Sequence, residues 1–164
     1  MPYYLTSKIL IKIFGEIDEI AEYLKYIDEV FLLVQYEVAE RLVAKPGTKA
    51  FSPLTLLIQY FSEPTILHKV PKEAFTPPPK VESAFVHFKM KEKLTLIKNP
   101  KLLKSLMRTT FQQKRKKISN SMSKFFEDKL TLENTLSDLK IDKNLRPEDL
   151  SFEDYNKISE VIHQ

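Results

Sequence analysis

Glu29-Val30-Phe31-Leu32-Leu33-Val34-Gln35 decides the fold class. Its apolar centre is continuous rather than alternating and too short for a stable helix. It therefore reads as a strand buried on both faces, the kind found in a parallel sheet. A helix over 37–43 follows, ending near Pro46-Gly47, and a further helix is expected over 53–61, with Ser52 as cap and Pro53 in its first turn. Before the strand, Thr6 or Ser7 can cap a helix over 7–14 that Gly15 stops, and the acidic stretch 16–27 reads as a short helix or loop. Two more strands are expected over 65–70 and 81–89. In the second, Val81, Ser83, Phe85, His87 and Lys89 lie on one side and Glu82, Ala84, Val86 and Phe88 on the other. Pro77, Pro78 and Pro79 make the connector between them extended and rigid.

After Lys89 the pattern becomes helical, with helices expected over 100–117, 119–126, 131–138 and 151–162. Arg146-Pro147-Glu148-Asp149-Leu150 forms a turn before the last, which Ser151 can cap with Asp154 three residues on. An α/β segment, residues 1–92, is thus followed by an all-α segment, residues 93–164.

Composition excludes several functions. Gly15 and Gly47 are the two glycines, so a Gly-rich phosphate cradle cannot be built. There is no cysteine, and His68, His87 and His163 are far apart, so a metal site is not expected. No transmembrane span or signal peptide is evident, and a soluble cytoplasmic protein is the expectation. The net charge of +4 is unevenly spread: residues 93–126 hold ten Lys or Arg and no acid, while the rest holds sixteen basic and twenty-two acidic residues. Such a segment suits a polyanion. On a helix, Lys101, Lys104, Arg108 and Arg115 share one face, and Leu103, Met107, Thr110, Phe111 and Ile118 share another. Lys114-Arg115-Lys116-Lys117 adds more positive charge than the helix dipole needs.

Two segments can do chemistry. Met1-Pro2-Tyr3-Tyr4 resembles the end of an Asn-Leu-Pro-Tyr loop, the signature of methyltransferases that act on the exocyclic amine of adenine. The lone pair of that amine is delocalised into the ring, so such an enzyme must hold the base out of its stack and direct the amine with hydrogen-bond acceptors. In Pro2-Tyr3-Tyr4, Pro2 fixes a loop, the carbonyl before it can accept, and Tyr3 can stack. Phe75-Thr76-Pro77-Pro78-Pro79-Lys80-Val81 would hold Phe75 against the second face of a base, or else is a plain polyproline connector.

Taken in order, Pro2-Tyr3-Tyr4-Leu5-Thr6-Ser7-Lys8, Val34-Gln35-Tyr36-Glu37-Val38-Ala39-Glu40-Arg41-Leu42, the Phe75–Ala84 run, Phe111-Gln112-Gln113-Lys114-Arg115-Lys116-Lys117 with Asn120-Ser121, and Arg146-Pro147-Glu148-Asp149 resemble the ribosomal RNA small-subunit adenine dimethyltransferases. That resemblance implies S-adenosylmethionine as donor. It implies the last three strands of a Rossmann-like methyltransferase sheet, followed by a small helical RNA-binding domain. The product would be dimethyladenosine at adjacent adenines near the 3′ end of 16S RNA. It also implies catalytic roles for Pro2, Tyr3 and Phe75, with the two rings flanking the adenine. RNA contacts would come from Lys101, Lys104, Arg108, Lys114, Arg115, Lys116, Lys117 and Asn120, with small-subunit RNA or a pre-30S particle as partner. The family's Asn is absent before Pro2, and its Gly-rich donor loop is expected upstream of Met1. The chain is therefore expected to be the C-terminal part of an enzyme that is monomeric when complete. Alone it should be inactive, with an apolar edge on its first strand. The alternatives are a non-catalytic RNA-binding or ribosome-assembly module, and the related large-subunit methyltransferases of antibiotic resistance.

Overall fold

A computed structural model describes residues 6–162. Helix α1 (Thr6–Phe14) leads into a small hairpin of β1 (Gly15–Glu16) and β2 (Glu19–Ile20), then a 3-10 turn at Glu22–Tyr26. Strand β3 (Glu29–Gln35) passes directly into α2 (Tyr36–Leu42), followed by α3 (Pro53–Phe61), β4 (Ser62–Val70) and β5 (Ser83–Met90). The remainder is helical: α4 (Pro100–Gln112), α5 (Ile118–Ser121), α6 (Lys129–Asp138) and α7 (Phe152–Val161). The chain divides into two compact units. The first holds residues up to Ala44 and Leu54–Thr95; the second holds Lys45–Pro53 and Leu96 onward. The strap Lys45–Pro53, which the sequence groups with the α/β segment, thus belongs with the helices.

The main sheet of the first unit has the order β3-β5-β4, and β5 is antiparallel to both neighbours. β3 and β4 therefore point the same way and end on the same side. One face of β5 is set by Ala84, Val86 and Phe88, all fully buried, with Val34 of β3 opposite Ala84. Phe14 of α1 packs on Phe88 at 5.2 Å and on Phe61 of α3 at 6.5 Å, joining both helices to the sheet.

The strand expectations need correction. Among the described residues β3 pairs only with β5, antiparallel, and it is not buried on both faces: Phe31 is 47% and Leu33 38% exposed. The side shared by Phe31, Leu33 and Phe85 is left open, with Phe31 stacked on His87 at 4.6 Å and on Phe85 at 6.0 Å. β4 starts at Ser62, three residues before the expected start, because an edge strand tolerates Pro64, which has no N–H to donate. The stretch 16–27 is neither loop nor helix throughout. Gly15, at φ +79°, turns the chain from α1 into the hairpin, where a Cβ would lie 2.8 Å from the Glu19 carbonyl oxygen.

In the second unit Leu103, Leu106, Ile118, Met122, Leu132, Leu136, Leu150, Tyr155 and Ile158 form the core. Tyr155 is its polar centre. The hydroxyl donates to the Pro147 carbonyl at 3.0 Å and lies 3.0 Å from Thr110 Oγ1, and burial pushes the phenol pKa well above its ordinary value. Helix ends follow sequence rules where capping residues exist. Asn99 Oδ1 accepts from Leu102 N ahead of Pro100, Asp128 Oδ1 accepts from Thr131 N, and Ser151 and Asp154 form the expected capping box. The helix expected over 100–117 instead stops at Gln112. Residues 113–117 form a turn, so Arg115 does not lie on the α4 face. The helix expected over 119–126 is α5 with a 3-10 turn at Ser123–Phe125, and α6 begins at Lys129 rather than at residue 131. Among the described residues, no helix is long and apolar enough to cross a membrane.

Replacing Gly15 by Ala should destabilise the protein by at least about 1 kcal/mol, because an L side chain there meets both a left-handed backbone and the Glu19 carbonyl. Urea unfolding of the variant beside the parent would show this as a lower midpoint with an unchanged slope.

Candidate functional site

β3 and β4 both deliver their carboxyl ends to one side of the sheet, the side on which open α/β sheets bind ligands. At the end of β3 the chain enters α2 at Tyr36, whose amide donates to the Glu82 carbonyl at 3.0 Å and ties this passage to the start of β5. Beyond β4, Pro71 leads through the 3-10 turn Lys72–Ala74 to Phe75, which is extended and half-buried, its amide donating to the Lys72 carbonyl. The Thr76–Pro77 peptide is cis. A cleft of about 410 Å³ lies at this end of the sheet, lined among others by Tyr36, Glu40, Lys72, Lys80 and Glu82. Lys69 touches two of these lining residues: it pairs with Glu82 and stands over the Tyr36 ring, 4.4 Å from the centroid. The hydrogen bond to Glu82 raises the Lys69 pKa, so its charge is secure at neutral pH. Pro2 and Tyr3, the other expected catalytic residues, lie outside the described residues. Sequence reasoning singles out Phe75 but misses Tyr36 and Lys69, although an aromatic residue directly after a strand could have flagged the first.

The cationic residues separate into two kinds. On α4, Lys101 and Arg108 are exposed and Lys104 is half-buried; Arg115 and Lys116 in the following turn are exposed, as is Asn120 on α5. Lys114 and Lys117 are engaged within the protein. The Lys114 ammonium donates to the Lys49 and Phe51 carbonyls at 2.8 and 3.1 Å, pinning the strap Lys45–Pro53. Lys117 Nζ donates to Asn144 Oδ1 at 2.7 Å, on the loop whose Asp142 carboxyl is held below its usual pKa first by the Asn144 backbone amide. The exposed cations are therefore Lys101 and Arg108 on α4, with Arg115 and Lys116 in the turn that follows it.

The described residues supply no glycine-rich loop for the methyl donor that the sequence resemblance implies. Gly15 is filled by its own hairpin, and Gly47, at φ +84°, serves a turn whose amide donates to the Glu148 carbonyl at 2.8 Å. Neither lies in a loop that could cradle the donor. Among the described residues no group of His, Cys, Asp and Glu could hold a metal ion.

Comparison with known proteins bears on the family and the fold. The sequence model of the family described as ribosomal RNA adenine dimethylase matches residues 1–164. The Ribosomal RNA small subunit methyltransferase A of Caldanaerobacter subterraneus subsp. tengcongensis is 36% identical over 99% of the chain, and that of Acaryochloris marina is 38% identical over 99%. The chain spans 58% and 60% of those relatives, about three fifths of their length. Among solved structures, a dimethyladenosine transferase from Plasmodium falciparum superposes with a TM-score of 0.76 at 24% identity, covering 96% of this chain and 62% of that one. The 23S rRNA methyltransferase ErmE superposes at 0.70 with 20% identity, covering 100% of this chain and 63% of that one. The sheet and the helices after it are thus part of a Rossmann-like methyltransferase fold with its helical C-terminal unit.

Replacing Lys114 by Met in the full-length protein should leave the helices intact and loosen the strap. Two charge-assisted hydrogen bonds, together about 2 kcal/mol, would disappear. Hydrogen exchange should then speed up at the Thr48 and Phe51 amides and stay unchanged in α6.

Proposed function

This chain belongs to the ribosomal RNA adenine dimethylase family, and from that premise we propose that it forms part of an enzyme that methylates the exocyclic amine of adenine in ribosomal RNA. The methyl donor is S-adenosylmethionine, and the substrate is two adjacent adenines near the 3′ end of 16S RNA in the small subunit or a pre-30S particle. The observation that carries this reading is the placement of Phe75 just beyond the carboxyl end of β4, on the side of the sheet where β3 also ends. A half-buried ring there suits one face of an extruded base, and Tyr3 is the proposed partner for the other. Pro2 holds the loop that presents Tyr3. The roles of the two segments follow: residues 1–92 present the base, and residues 93–164 hold the RNA.

The choice of small-subunit RNA is supported by the names of the curated relatives and by the Lys114-Arg115-Lys116-Lys117 run with Asn120. Lys101, Lys104, Arg108, Arg115 and Lys116 are proposed to contact phosphates. Lys114 and Lys117 serve through the elements they hold in place. With two glycines, both committed to turns, residues 1–164 alone are proposed to be inactive. The complete enzyme is proposed to be a cytoplasmic monomer.

Supplied with undermethylated small-subunit RNA and labelled S-adenosylmethionine, the full-length protein should yield dimethyladenosine. Phe75→Ala should cut the turnover rate by roughly tenfold to a hundredfold through misplacement of the base, with little change in RNA affinity. RNA binding without methyl transfer would instead support a non-catalytic assembly module, and product only on 23S RNA would support the large-subunit alternative.

The double variant Arg108→Ala/Arg115→Ala should weaken RNA binding and lower the slope of log affinity against log salt by about two, one for each phosphate that is no longer neutralised. A titration at three salt concentrations measures this directly. An unchanged slope would remove both residues from the phosphate interface.

A further inference from the structure

The helical unit contains a second concavity, separate from the cleft at the sheet. It is a shallow depression, open to solvent, with a volume of about 410 Å³. Arg108, Phe111 and Gln112 of α4 form one wall, and Phe51, Ser52 and Pro53 of the strap form the other. Arg108 precedes the other two by three and four residues, so all three share one side of the helix. Both walls are held in place. Phe111 is backed by Tyr155, ring centroids 6.1 Å apart and 28° from coplanar, and Tyr155 is anchored by its bond to Pro147. The strap is pinned by the two carbonyl bonds from Lys114.

Three chemistries meet here: an aromatic ring, a planar guanidinium with no acidic residue among the lining side chains, and an exposed primary amide that can both donate and accept. The exposed cations Lys101 and Arg108 lie on one side of α4 about 10 Å apart, and Arg108 lines this pocket. A cation track that terminates in an aromatic and guanidinium pocket is the arrangement that receives a single strand, with phosphates on the track and a base in the pocket. Resting on the RNA-binding reading above, we propose that this pocket holds one unstacked nucleobase of the RNA substrate, stacked against Phe111 and the Arg108 guanidinium, with Gln112 at its edge. It is a recognition subsite apart from the target adenine.

The test compares two probes of equal length and charge: a fluorescent single-stranded oligoadenylate and the same strand with abasic residues throughout. With the full-length protein, Phe111→Leu should weaken binding of the base-bearing strand about tenfold and leave the abasic strand unchanged, because stacking on one base accounts for an effect of that order. Arg108→Lys keeps the charge but removes the planar stacking surface. It is exposed, so it tests the proposal even if Phe111→Leu fails to fold. It should weaken only the base-bearing strand, with the salt slope retained. Equal weakening on both strands would mean that Arg108 serves only as a phosphate contact, with no base beside it, and would overturn the proposal. Unchanged affinity in both variants, the result if the pocket takes a protein segment, would also overturn it. Should the parent protein bind neither strand, the RNA-binding reading falls along with this one; a parent that binds both strands while the variants match it sinks the pocket alone.

Discussion

β5 is the strand on which the α/β unit depends. It donates and accepts along both edges, antiparallel to β3 on one side and β4 on the other. Two strands that each pair antiparallel with a common neighbour must be parallel to each other. This is why the passage into α2 and the loop bearing Phe75, about forty residues apart in sequence, arrive at the same end of the sheet. The buried side of β5, with Ala84, Val86 and Phe88 fully enclosed, gives α1 and α3 their packing surface through Phe14 and Phe61. Slipping β5 by one residue would exchange Ala84, Val86 and Phe88 for Phe85 and His87 on that side, burying an imidazole and opening the core. Register and site placement are therefore one constraint.

The helical unit is organised differently, around a polar contact inside an apolar core. Tyr155 links α7 to α4 through Thr110 and to the turn before α7 through Pro147. Its ring also supports Phe111, so a buried hydroxyl fixes an aromatic surface that faces outward. Low dielectric strengthens such bonds and makes breaking them costly, which favours one arrangement over its near alternatives.

What can be read from the sequence follows local chemistry. Gly15 stopping α1, Pro53 opening α3, and the Ser151/Asp154 box are rules carried by residues close together in the chain. The ordered motifs point to the family, and with it the fold. The misreadings involve partners distant in sequence. α4 ends at Gln112 with no Gly or Pro to mark it, because residues 113–117 instead reach the strap and the 142–145 loop. Periodicity alone puts Arg115 on the α4 face for the same reason. In β3, a continuous apolar run suggests burial on both sides, yet apolarity records what a surface favours rather than what covers it. Of the candidate site's residues the sequence singles out Phe75, because prolines follow it so closely. Tyr36 and Lys69 are not, since their contact is made across the sheet end.

The strap has a bearing on how the molecule can be dissected. Because Lys45–Pro53 belongs to the helical unit while the chain on either side of it belongs to the sheet unit, the polypeptide crosses between the two three times. A cut after Thr95 does not yield two self-sufficient pieces. It leaves the helical piece without the Gly47 amide that donates to Glu148 and without the carbonyls that accept from Lys114, so that a turn and an ammonium group are stranded together. The smallest autonomous helical fragment must carry the strap with it, as an insertion or a circular permutation rather than a simple C-terminal truncation.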